Sequence, residues 1–271
     1  MLRAAFALTT VFALTGSLLA ASPFKDAKLE AAVREERKLD AKAELTDDVL
    51  KQVFFLEAPK KDIKDLTGLE KCTNLALLKL TDNAITDIKP LAGLVNLQSL
   101  DLAGNQIADI GPLAGLVKLQ YIELTKNRVA DVAALKGLTA LASLYLSGNQ
   151  IADISGLAGL AKLASLDLSK NKVKDLKPLE KVNRIMTLNL QNNEIVDITP
   201  LKSQGELSML MLQGNKIADL APLVAAAEAD AKGPMRFAPF LRLWLGGNPL
   251  SADAKTKQLA ALKAAGVRLQ D

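Results

Sequence analysis

Apolar residues recur along most of this chain in a fixed frame. Between positions 75 and 94 they stand at Leu75, Leu78, Leu80, Ile85, Ile88, Leu91 and Leu94, and the same pattern restarts at Val53, Leu75, Leu97, Leu119, Leu141, Leu163, Ile185, Leu207 and Phe240. Alternation at Leu78 and Leu80 predicts a short strand with one buried face. The spacing of three from Ile85 to Leu94 predicts a tight 3₁₀-like return. Pro90, Pro112, Pro178, Pro200 and Pro222 share one frame position, which Ala134 and Gly156 take in two coils. Proline there suits the first turn of a short helical segment, with the aspartate before it (Asp87 in this coil) as capping acceptor. Each unit is therefore one strand and one return.

A single such coil cannot hold itself together, because it buries too few side chains to offset the entropy of ordering them. Stacked coils pair their strands laterally as a parallel sheet and merge their apolar stripes into one core. Asn83, Asn105, Asn127, Asn149, Asn171, Asn193 and Asn215 follow one another at intervals of 22 residues, and Asn248 takes the same place in the last coil. An amide turned inward at this point can bond backbone groups left unpaired in the turns, forming a ladder.

The motifs LALLKLTDNAITDIKPLAGL (75 to 94) and LQSLDLAGNQIADIGPLAGL (97 to 116) resemble those of the leucine-rich repeat proteins, specifically the bacterial 22-residue internalin-like class. The resemblance covers about residues 53 to 250. It implies an α/β solenoid: a curved repeat array with a parallel concave β-sheet, a 3₁₀ or irregular convex side and helical caps. It also implies a protein partner on the concave face. Lys61 stands where the first frame would have asparagine. An internalin would carry an immunoglobulin-like segment after its repeats; this sequence runs from the repeats to Asp271 without one, so host-receptor binding is not carried over.

Solenoid ends need shielding from water and from edge pairing. Residues 22 to 52 are expected to form the N-terminal cap, with short helices over 24 to 38 and from Thr46 to Phe54. Residues 251 to 271 are expected to form the C-terminal cap, helical from Ala252 to Ala265 and stopped by Gly266. The interval from Asn215 to Asn248 is 33 residues rather than 22, which places an insertion at about 224 to 239 with a helix over VAAAEADAK. At the front, Arg3 precedes an uncharged apolar run from Ala4 to Ser22, so residues 1 to 21 read as a secretory signal peptide and the remainder as a secreted or periplasmic protein. Membrane contact is expected only if that segment stays uncleaved.

Composition narrows the chemistry. With no histidine and Cys72 as the one cysteine, the chain cannot build a Ser-His-Asp triad, a disulfide within itself or a His-containing zinc site. Cys72 occupies a core position and is expected to be a buried thiol. No catalytic residue, metal or cofactor is expected. Lys and Arg total 34 against 30 Asp and Glu, and removal of Arg3 with the signal leaves 33 − 30, a net charge of +3. That excess is too small and too mixed for nucleic acid.

Alternation also turns two residues per strand outward onto the sheet face. One column reads Phe55, Leu77, Ser99, Tyr121, Ser143, Ser165, Thr187, Met209, Arg242; the other reads Glu57, Lys79, Asp101, Glu123, Tyr145, Asp167, Asn189, Met211, Trp244. Two groups have the composition of contact surfaces: Tyr121 and Tyr145 beside Asp101, Glu123 and Asp167, and Met209, Met211, Arg242 and Trp244. An unknown protein or peptide is the expected partner. The competing readings are a structural envelope component without a ligand and an enzyme using paired carboxylates such as Glu123 and Asp167, which an open sheet shelters poorly from water.

Overall fold

The computed structural model describes residues 22 to 233 and 235 to 270. The expected signal segment, residues 1 to 21, lies outside the described residues. Among the described residues, ten three-residue strands form one parallel sheet in strict sequence order: β1 (Phe55–Glu57), β2 (Leu77–Lys79), β3 (Ser99–Asp101), β4 (Tyr121–Glu123), β5 (Ser143–Tyr145), β6 (Ser165–Asp167), β7 (Thr187–Asn189), β8 (Met209–Met211), β9 (Arg242–Trp244) and β10 (Arg268–Gln270). Seven 3₁₀ returns on the opposite side link β1 through β8, each burying one leucine, Leu91 and Leu113 among them. This is the leucine-rich repeat solenoid. Its core is one continuous apolar cluster from Phe24 to Val267, built from the frame positions.

The frame asparagines link the coils in series. In Asn149, Nδ2 donates to the carbonyls of Leu124 (3.0 Å) and Leu146 (2.9 Å), while Oδ1 accepts the Val129 N–H at 2.9 Å. Asn171 donates to the same Leu146 carbonyl at 2.9 Å, so consecutive amides share acceptors along the stack. Asn83, Asn105, Asn127, Asn193, Asn215 and Asn248 repeat the arrangement. The residue before each of these asparagines is left-handed in every coil, as glycine at Gly104, Gly148, Gly214 and Gly247 and as Asp82, Lys126, Lys170 or Asn192 elsewhere. On the far side, the Asp87 carboxylate accepts the Lys89 N–H at 2.8 Å and Asp175 accepts the Lys177 N–H at 2.8 Å, which starts the return.

The caps depart from expectation in detail. Helix α1 (Ala27–Glu36) begins at Asp26, whose carboxylate accepts the Lys28 N–H at 2.8 Å and reaches the first coil at the Lys64 N–H, 2.7 Å away. Helix α2 (Asp47–Leu50) stops well short of Phe54, because Val53 and Leu56 are needed in the core and the chain must be extended there. The insertion forms helix α3 (Ala221–Ala231), and the Asp230 carboxylate folds the following turn by accepting the N–H groups of Arg236, Phe237 and Ala238. Phe240 does not fill the frame's buried position: it is 60% exposed, and Leu241 and Phe237 are buried in its place. The expected helix from Ala252 to Ala265 is a π-helical turn (Ala254–Gln258) followed by α4 (Leu259–Ala264), with Gly266 left-handed after it. Gln258 ties this cap to the insertion by accepting the Leu220 N–H at 2.7 Å and donating to Asp219 at 2.6 Å. Strand β10 was not foreseen, and it brings the parallel sheet to ten strands.

One return carries a polar residue at a buried leucine position. Gln204 takes the position held by Leu94, is 1% exposed, and donates to the Leu179 carbonyl at 2.8 Å while its Oε1 has no partner. Leucine restores the apolar contact and removes the orphan acceptor. Gln204→Leu is expected to raise the unfolding free energy by about 1 kcal/mol in denaturant melts; a lower value would show that the amide is worth more than its unpaired oxygen costs.

Candidate recognition face

The register aligns the two outward columns as the alternation requires. Ser99, Tyr121 and Ser143 lie side by side on β3, β4 and β5, and Asp101, Glu123, Tyr145, Asp167 and Asn189 follow across β3 to β7. Tyr121 and Tyr145 sit on diagonal positions of neighbouring strands, with ring centroids 5.7 Å apart and planes tilted by 49°. Their neighbours Ser143 and Ser165 are small, which leaves both rings half-exposed.

Three carboxylates flank this pair, and each is held by its own strand. Asp101 accepts the Ala103 N–H at 3.1 Å, Glu123 the Thr125 N–H at 2.8 Å and Asp167 the Ser169 N–H at 2.8 Å; Asp167 also accepts from the Asn189 amide at 3.1 Å. Burial raises the Glu123 carboxyl above its ordinary range, and the charges of Asp101 and Asp167 push the same way against the Thr125 hydrogen bonds. Burial, reinforced by Glu123 and Asp101, pushes the Tyr121 hydroxyl up to about 12. The carboxylate pair Glu123 and Asp167 has Tyr145 standing between its members in the register, and the adjacent pair is Asp101 with Glu123.

A pH dependence follows from Glu123. A carboxyl whose folded pKa is raised binds its proton more tightly in the folded state, so its contribution to stability grows as pH falls through the raised value and is unfavourable at neutral pH. Glu123→Gln keeps the acceptor for Thr125 and removes the charge. It is expected to stabilise the fold at pH 7 by less than about 1 kcal/mol, with the gain vanishing in acid. Thermal melts at pH 7 and pH 4 check this, and a gain that persists in acid would contradict it.

Towards the other end, Met209 pairs with Arg242 and Met211 with Trp244 across β8 and β9, while β10 sets Arg268 beside Arg242 and Gln270 beside Trp244. Met209, Met211 and Trp244 are half-buried, and Arg242 and Arg268 are exposed. Met186, one position before β7, is 51% exposed, and its carbonyl accepts the Met209 N–H at 3.0 Å. Sequence reasoning passed over it because it stands outside the two alternating columns. Phe55, 56% exposed, stands first in its outward column on β1, and Phe54 just before the strand is 47% exposed. Cys72 is fully buried, and burial pushes its thiol up to about 12, which leaves it a packing residue.

Among the described residues, no cluster of three or more Cys, Asp or Glu side chains is placed to hold a metal, and no helix is long and apolar enough to cross a membrane. No curated protein gives a match. The family described as leucine-rich repeats (2 copies) matches residues 95–137 and 139–181. Internalin C2 from Listeria monocytogenes is 36% identical, covering 74% of this chain and 89% of its own, with a TM-score of 0.72. The chain belongs to the internalin-like leucine-rich repeat proteins. Listeria monocytogenes internalin F shares the fold at 24% identity, covering 92% of each chain with a TM-score of 0.55. So does a plant peptide hormone receptor, RGFR1, solved in complex with RGF2; it is 19% identical over 74% of this chain and 33% of its own, with a TM-score of 0.62. Leucine-rich repeat folds of this kind typically serve protein–protein interaction.

Proposed function

We propose that this internalin-like protein is an exported recognition module that binds a protein or peptide on the concave face of its sheet. The observation that carries the reading is the tilted pair Tyr121 and Tyr145, half-exposed beside the small residues Ser99, Ser143 and Ser165, on strands whose principal element contacts among the described residues are with neighbouring strands. Rigid aromatic side chains in such a setting lose little entropy when a partner covers them. Met209, Met211 and Trp244 extend the contact surface on the same face. The receptor–RGF2 complex supports the reading, since that solenoid too works as a binder of another polypeptide. Export rests on the uncharged apolar run that follows Arg3. An open sheet with no enclosing walls favours binding over catalysis.

The test is affinity capture from the envelope and medium fractions of the source organism, with the chain from residue 22 beside its Tyr145→Ser/Trp244→Ser variant. Each truncation is expected to cost about 2 kcal/mol of binding at a hot spot, while the melting midpoint changes little. A polypeptide held by the wild type and lost by the equally folded variant supports the reading. Equal retention by both would sink it.

A further inference from the structure

Two like-charge pairs stand on the concave sheet, and each works against the fold. Asp101 and Glu123 are register partners on β3 and β4, and Arg242 and Arg268 are register partners on β9 and β10. Like charges placed directly opposite on adjacent strands are destabilising. Among the described residues none of the four takes part in an ion pair. Lys79, the register neighbour of Asp101 on β2, makes none with it. Asp167, on β6 and beyond Tyr145 in the same row, adds to the negative end. The face is thus negative across β3 to β6 and positive across β9 and β10, with the methionines of β8 between and Trp244 at the positive end on β9.

Resting on the concave-face reading above, we propose that the occupant is an extended polypeptide segment of opposite polarity. Its basic group sits over Asp101, Glu123 and Asp167, and its acidic group over Arg242 and Arg268. The rings of Tyr121 and Tyr145 lie where a guanidinium or ammonium group held by those carboxylates would meet aromatic faces. The middles of the two charged zones are five strand spacings apart, roughly 24 Å. An extended chain covers that span in about seven residues. Apolar side chains of the segment would cover Met209 and Met211 between the ends and Trp244 beside the acidic group, and polar ones would meet Ser143, Ser165 and Thr187. Charge complementarity sets the orientation and the length of the occupant, and the apolar middle supplies contact area.

Selection of a displayed library of random twelve-residue peptides on the chain from residue 22 to its end, at low ionic strength, tests the proposal. Enriched peptides are expected to carry a basic and an acidic group about seven positions apart. Their binding is expected to fall about ten-fold with Glu123→Gln and with Arg242→Glu, because each removes one charge contact. Arg242→Glu places a carboxylate beside Arg268, so its melting midpoint should rise while binding falls, an opposition that a purely structural role would not produce. Peptides with the acidic end replaced by a basic one should bind Arg242→Glu/Arg268→Glu better than the wild type. Enriched peptides that need Tyr145 and Trp244 but show no charge pattern would overturn this inference and leave the concave-face reading standing. If no peptide depends on any residue of the face, both fall.

Discussion

Asn149→Ala is expected to lower the unfolding free energy by about 3 kcal/mol, measured by denaturant melts at neutral pH. The side chain is buried, and it is the partner of the Val129 N–H, which an alanine leaves unpaired inside the turn. The carbonyls of Leu124 and Leu146 keep a second ladder amide each, from Asn127 and Asn171, so the loss is concentrated on one donor and on the space the amide filled. Coupling between coils runs through nearest neighbours, and a weakened joint in the middle of the stack is felt by the whole array. The exposed neighbour Gln150 is the control, and Gln150→Ala should leave the midpoint in place. An Asn149→Ala midpoint equal to the wild type would refute the ladder.

The second large effect is expected at Gly156. Its frame position is proline in five coils, yet here a Cβ would run into the Val132 carbonyl oxygen, with the Val132 carbon 2.8 Å and the Ala133 Cα 3.1 Å away. Those atoms are backbone and cannot turn aside. The returns of the fourth and fifth coils therefore approach one another more closely than a side chain allows, and Gly156→Ala should cost about 2 kcal/mol as overpacking. Gly115→Ala is the matched control, because nothing lies within 4 Å of the added methyl. Equal melting midpoints for the two variants would show that the coils can part without penalty.

The repeat made most of the fold legible before any coordinates. A side chain required in every coil leaves a periodic mark, so the strands, the returns, the asparagines and both outward columns could be placed by counting. Legibility fails where a constraint occurs once. Strand β10 has no asparagine and no following coil to mark its frame, although Val267 and Leu269 after Gly266 do alternate as strand residues should. Phe240 fits the frame by count, but the turn built around Asp230 shifts the inward residue to Leu241, which no spacing rule reveals. Gln204 is invisible as a core residue because polarity argues against burial. The outward columns of the candidate face were legible in composition and alternation. The like-charge pairing across β9 and β10 was not, since it requires the unforeseen strand.

Shared acceptors along the ladder have a consequence for how such a protein changes over generations. Because each ladder amide asks of its neighbours only what the other coils also offer, gain or loss of one 22-residue unit preserves the ladder and the strand pairing of the stack. Such an event between β5 and β9 would move Trp244 relative to Tyr145 by one strand spacing, about 4.8 Å. The solenoid is in this sense a ruler graduated in coils: the repeat that stabilises it also sets the steps in which the spacing of its outward residues can change, with those residues free to vary.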